Sequence, residues 1–246
     1  VIVAEENSKL QILTGCTALH QMTENVHNGV TEIYVGAGAE VVFTMIHSWS
    51  EQSQVHPRTA VKVGQGGKFV SNYLVFDPVA ELDTNPKVFL EGRSSKAVLK
   101  SFIYSHPKSK IDLGGEIHLN GQESRGEIET HAVVGGGRTI TRGTLVGRAE
   151  KIRAHLECSA IVLSAEAEFK TIPVLQSQLD NLDLSHEASI GKISSEQIEY
   201  LQTRGVSREK AKEMIVRGFI DKSIGDLSPV LQEKIDNIVR RAQRGL

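Results

Sequence analysis

Four short apolar runs recur along this chain at nearly constant distance, and that recurrence limits the fold more than any other feature of the sequence. Glu32-Ile33-Tyr34-Val35 precedes Gly36, Ala60-Val61-Lys62-Val63 precedes Gly64, Lys87-Val88-Phe89-Leu90 precedes Gly92, and Glu116-Ile117-His118-Leu119 precedes Gly121. Ile33, Val61, Val88 and Ile117 are 28, 27 and 29 residues apart, and the following steps to Ile140 and Ile161 shorten to 23 and 21. Alternation of apolar and polar side chains is the period of a strand. A strand-and-turn unit repeated at such an interval cannot bury its apolar face alone and buries it against the next copy. The pattern, running from about Leu10 to about Gln176, therefore predicts a mainly β chain built as a parallel β-helix, a solenoid of coils. A closed sandwich or barrel remains the rival, because Asn120-Gly121 is a hairpin signal.

The texture changes at about Lys192. Ser194 with Gln197 three residues later reads as a capping box, and Gly205 suits the residue past a helix end. Ser207 caps a second predicted helix with Ala211, Met214, Ile215 and Phe219 on its apolar face. Ser228-Pro229 opens a third, with Leu231, Ile235, Ile238 and Val239 at helical spacing. The expected organisation is a β-helix core over 1–191 and a small helical domain over 192–246.

Lys and Arg number 28 against 30 Asp and Glu, so charge gives no case for a nucleic-acid partner. No apolar stretch approaches the roughly 18 to 20 residues that span a bilayer, and two cysteines make no disulfide framework. A soluble protein of the reducing cytoplasm is the expectation. The chain starts at Val1 rather than Met, so an N-terminal piece is expected ahead of it.

Strand parity sorts the chemically reactive side chains. Cys16 shares a face with Leu10 and Ile12, and His47 and Trp49 share one with Val41, Phe43 and Met45. Cys158 goes with Ala154, Leu156, Ala160 and Val162, opposite Arg153, His155, Glu157 and Ser159. His186 goes with Leu182, Leu184 and Ala188. A buried thiol acting as a small hydrophobe is the plain reading of Cys158. Two thiols, two imidazoles and an indole all facing inward make an unusually polar line through a core, and the cost of burying them argues for a purpose. Cys158 and Glu187, 29 residues apart, with His186, supply the thiol, carboxylate and imidazole that bind iron and zinc. Glu187 points opposite to His186 on a regular strand. One metal takes both only if the strand ends or bulges there, or if two protomers contribute.

Gly15-Cys16-Thr17-Ala18, Ser48-Trp49-Ser50, Ile172-Pro173, His186-Glu187-Ala188, Glu196-Gln197-Ile198 with Tyr200-Leu201, Arg204-Gly205, and Met214-Ile215-Val216 with Gly218-Phe219 follow one another in that order. As a set they resemble the landmarks of the SufB/SufD family of iron–sulfur cluster assembly scaffolds. Cys158 and Glu187 together with Cys16 make the chain similar to SufB. The resemblance implies a right-handed parallel β-helix followed by a helical C-terminal domain, and a scaffold rather than an enzyme. It implies an ABC-type ATPase partner, SufC, docked on the C-terminal helices. A nascent iron–sulfur cluster then forms where two β-helices meet, on Cys158 and Glu187 with His186 from the partner. Sulfur from a sulfur donor is accepted at Cys16 and passes His47, Trp49 and Arg58. His47 stands where the family more usually has an amide, and Arg58 replaces a lysine. Recipients would be apo iron–sulfur proteins. The second scaffold is either SufD-like or a further copy of this chain, and the two ligand types in one chain favour a homodimer.

The chemistry suits transfer. A thiolate accepts sulfane sulfur and binds iron, whereas a carboxylate is a weaker ligand that lets a nascent cluster leave. Other readings remain open. A β-helix enzyme acting on polysaccharide needs clustered carboxylates, and Asp77, Asp83, Asp112, Asp180 and Asp183 are scattered. A zinc hydrolase built on Cys158, His155 and His186 is a second possibility, and a purely structural protein with inert thiols a third.

Overall fold

As far as Leu119, each coil of the chain lays down one long strand and then two short ones joined by a bend. The computed structural model describes residues 1–17, 25–180 and 182–224, with the backbone alone for 221–224. The third predicted helix, at Ser228-Pro229, lies outside the described residues. Among the described residues the protein is a β-solenoid of about six turns, 58% strand, followed by two helices. The long strands Lys9–Thr17, Glu40–Ser48, Lys68–Val75, Lys96–Ser105, Arg125–Val134, Arg153–Val162 and Asp183–Lys192 stack in that order as one seven-stranded sheet. The short strands wrap round as an eleven-stranded sheet. Every pairing between described strands is parallel.

The repeat read from the sequence is the physical coil. Ile33 pairs with Val61, Val61 with Val88, Val88 with Ile117, and Ile117 with Leu145. All five side chains are at most 1% exposed, forming one apolar column down the interior. Burying a side chain of this size stabilises by about 1.5 to 3 kcal/mol, so the column is a main source of the solenoid's stability. The apparent shortening toward Ile140 and Ile161 is corrected. Ile140 pairs with Asp112, and Ile161 with Val133 in the other sheet, so neither continues the Ile33 column. The coil stays 27 to 30 residues long, because Ile117 pairs with Leu145 and Leu145 with Leu175.

What changes there is the cross-section. In the earlier coil Lys110–Leu113 and Glu116–Leu119 are separate strands flanking Gly114 and Gly115. In the next, Arg138–Gly147 runs unbroken, pairing with the first through its front half and with the second through its back half.

Asn120-Gly121 is not a hairpin. The Gly121 amide donates to the Leu90 carbonyl one coil back, and the turn passes on to the next parallel strand. Glycine is needed for stacking, since a Cβ on Gly121 would meet the Gly92 carbonyl oxygen at 2.1 Å, and one on Gly92 the Gln65 amide nitrogen at 2.0 Å. These turns sit backbone on backbone, and any side chain at either position would force the coils apart.

The helices run Ser195–Thr203 and Arg208–Ile224. Gly205 has φ +81 and ends the first as expected, but the Ser194 side chain makes no capping bond. Ser207 does cap the second, its Oγ accepting from the Lys210 amide at 3.3 Å. The buried face of that helix is Ala211, Val216 and Ile220, whereas Met214, expected inside, is exposed. Val216 and Ile220 pack on Leu74, Phe102 and Val133, and so share a core with the seven-stranded sheet. Among the described residues no helix is long and apolar enough to cross a membrane.

Candidate functional site

Two thiols lie inside this solenoid, near opposite ends. Cys16 is half-buried on the second-to-last position of its strand, in register with His47. His47 is 1% exposed and Trp49 7%. The Trp49 Nε1–H donates to His47 Nδ1 at 2.9 Å, and the rings stack with centroids 5.6 Å apart. Tyr73 closes the group, its ring 4.7 Å from that of His47, and both it and Cys16 pack against the apolar cluster containing Trp49, Val55 and Val75. Burial, and secondarily the nearby His27, hold the His47 imidazole down to about 4 from its ordinary 6.5. Burial first, and then the Cys16 thiol, push the Tyr73 phenol well above the usual range.

Cys158 is 2% exposed and faces inward with Leu156 and Ala160, as parity predicts. Its Sγ lies 3.3 Å from Thr141 Oγ1 on the opposite wall. One strand further on, Leu156 pairs with His186 and Cys158 with Ala188, so His186 is the inward diagonal neighbour of the thiol. Its Nε2 is buried and meets no hydrogen-bond partner among the described residues.

Glu187 is on the other side of the sheet. It pairs with Glu157 and lines an outer groove shared with Ser159, Gln197 and Phe219. The structure therefore brings Cys158 and His186 together and leaves Glu187 across the sheet from both. Arg58 lies outside as well. It is half-exposed, pairs with Asp83 at 2.6 Å, and does not line the interior. His155 also faces outward, bonded to Ser185 at 2.9 Å, so Cys158, His155 and His186 do not assemble one zinc site in a single chain. Among the described residues no three His, Cys, Asp or Glu side chains converge to hold a metal ion.

Between the two thiols runs a column that sequence reasoning missed. Tyr73 pairs with Ser101, Ser101 with Thr130, and Thr130 with Cys158, all on the inner face. Tyr73, Ser101 and Thr130 line a narrow internal cavity of about 30 Å³ walled by Phe43, Met45 and Leu99. That is room for roughly two water-sized species. The signal was available, since stepping back from Cys158 by the coil length lands on these residues in turn.

The fold and site together define a parallel β-solenoid with a thiol near each end of a partly polar interior. Residues 1–219 match the family described as SUF system FeS cluster assembly, SufBD core domain, and the chain belongs to that family. It is similar to an iron-sulfur cluster assembly SufBD family protein of Archaeoglobus fulgidus, 41% identical over 246 residues, all of this chain and 66% of the relative. A Pyrococcus horikoshii relative of the same description is 36% identical over 99% of this chain and 55% of its own length. One from Staphylococcus epidermidis is 30% identical over the whole chain and 53% of its own length. The chain thus spans between about half and two-thirds of these relatives.

Proposed function

We propose that this chain is the core of a scaffold that accepts sulfur and iron and builds a nascent iron–sulfur cluster at a subunit interface, without being an enzyme itself. The observation that carries this reading is the inner column that leads from the Cys16, His47, Trp49 and Tyr73 group through Ser101 and Thr130 to Cys158. Sulfane sulfur is accepted at Cys16 from a persulfide-bearing donor, and Cys158 serves as both sulfur acceptor and soft iron ligand. Family membership supports the general role.

Glu187 and His186 complete the ligand set from two protomers. In one chain the carboxylate faces away from the thiol, and among the described residues the strand Asp183–Lys192 that carries it is the last of its sheet. Its outer edge is the natural surface for a second copy of this chain, or for a SufD-like partner. A SufC-like ABC ATPase acts on the helical tail. The helix Arg208–Ile224 packs on the same sheet that carries Cys158 and Glu187, so a pull on it reaches those strands. Finished clusters pass to apo iron–sulfur proteins in the cytoplasm.

The test is anaerobic reconstitution with iron and sulfide. Cys158→Ser and Glu187→Ala should each lose most of the bound iron and acid-labile sulfide. Wild-type content in both variants would sink the assignment.

A further inference from the structure

Beside Cys16, two inward donors meet no acceptor among the described residues. Because His47 Nδ1 accepts the Trp49 indole N–H at 2.9 Å, the proton of the neutral imidazole sits on Nε2. That Nε2 is buried and has no hydrogen-bond partner among the described residues. The Tyr73 hydroxyl is equally buried and equally without a partner there. The two rings lie 4.7 Å apart, His47 is in register with Cys16, and Tyr73 and Cys16 pack against one apolar cluster. A buried donor left without an acceptor is costly, so two in one place point to an acceptor that arrives from outside.

We propose that the Nε2–H of His47 and the O–H of Tyr73 form a two-donor pocket for the anionic terminal sulfur of a persulfide carried on Cys16. The inference rests on the reading of Cys16 as a sulfur acceptor. The Cys16 thiolate attacks the terminal sulfur of a donor persulfide, the donor's S–S bond breaks, and the donor leaves as its own thiolate with the bonding pair. Cys16–S–SH then gives its proton to solvent and becomes the anion that the two donors hold. No external oxidant or reductant enters. Burial keeps both donors uncharged at neutral pH, His47 neutral and Tyr73 protonated. Neutral donors hold the sulfur anion without an ion pair, a grip suited to onward transfer. Among the described residues, titratable groups nearby include His27, whose ring is 4.9 Å from Trp49, and Asp77, which accepts from Ser48 Oγ at 2.6 Å.

The test uses the full chain, purified anaerobically and treated with cysteine persulfide. Loading of Cys16 is measured first by mass spectrometry. The persulfide is then titrated through the near-ultraviolet absorbance of its anion and through cyanolysis, in which cyanide removes the terminal sulfur as thiocyanate and leaves the Cys16 thiolate. Tyr73→Phe and His47→Leu should each raise the deprotonation midpoint by about one pH unit, an about tenfold loss of anion at fixed pH below it. His47→Gln restores an N–H donor and should stay near wild type. Tyr73→Phe keeps the ring and should leave the melting temperature unchanged or higher, since it removes only an unpartnered hydroxyl. If Cys16 loads in every protein and the midpoints coincide, the donors serve a buried water and the proposal is overturned. If wild-type Cys16 takes up no sulfur at all, the parent reading fails and the donor pocket falls with it, a result distinguished by the loading step.

Discussion

The two thiol regions differ in what a single chain supplies. Around Cys16 one protomer supplies a continuous group: an indole fixes an imidazole, a phenol lies against it, and apolar residues of both sheets pack around it. Around Cys158 the ligands are divided. The thiol and His186 face in, Glu187 faces out, and among the described residues the strand bearing the latter two has no further neighbour in its sheet. On the proposed function, a site that handles one sulfur atom is finished inside a monomer, and a site that must release a multi-iron product is completed only where another surface meets it.

That contrast can be broken most forcefully at the open end. Ile190 is 47% exposed on the last strand, inward-facing beyond Ala160. Ile190→Lys should convert a dimer to a monomer, weakening association at least about a hundredfold, some 2.7 kcal/mol. It should also abolish cluster assembly while Cys16 still loads with sulfur. Sedimentation and iron content measure the two halves, and a cluster-competent monomer would show that the end is complete on its own.

A smaller effect tests the closed chamber. The folded-state value of His47 lies below its unfolded value, so the unfolded chain takes the proton first as pH falls. Stability from this group is intact at neutral pH and is lost between about 6.5 and about 4, by about 3 kcal/mol in all. His47→Gln should flatten that part of the acid-unfolding curve relative to wild type, read by urea denaturation at several pH values. The smallest effect belongs to Arg58. Its exposed pair with Asp83 is worth about 0 to 1 kcal/mol, and Arg58→Ala should leave sulfur loading at Cys16 unchanged. A marked loss of loading would place Arg58 on the path after all.

Much of this was legible in the sequence because solenoids repeat. The interval from Ile33 to Ile117 is the coil, and parity placed Cys16, His47, Trp49 and Cys158 inside. The period was lost at Ile140 because the bend at Gly114 and Gly115 disappears in the next coil, so the local texture no longer marks where a coil begins. Asn120-Gly121 misled because a tight stack of turns and a hairpin both demand glycine. Met214 misled because helical spacing shows a stripe but not which edge of it meets the sheet. Tyr73, Ser101 and Thr130 carry no motif, and only the register, strand by strand, joins them to Cys158.

The stacking order also acts as a ruler. From the strand of Cys16 to that of Cys158 the sheet takes five steps, which at about 4.8 Å each sets the thiols about 24 Å apart along the axis. That separation is counted in whole rungs and changes only by insertion or loss of an entire coil. A shift of a single residue within a strand would instead turn every side chain in it to the opposite face. Relatives in which the two thiols are differently spaced should therefore differ by complete coils, each adding or removing one member of the inner column while the chemistry at either end keeps its geometry.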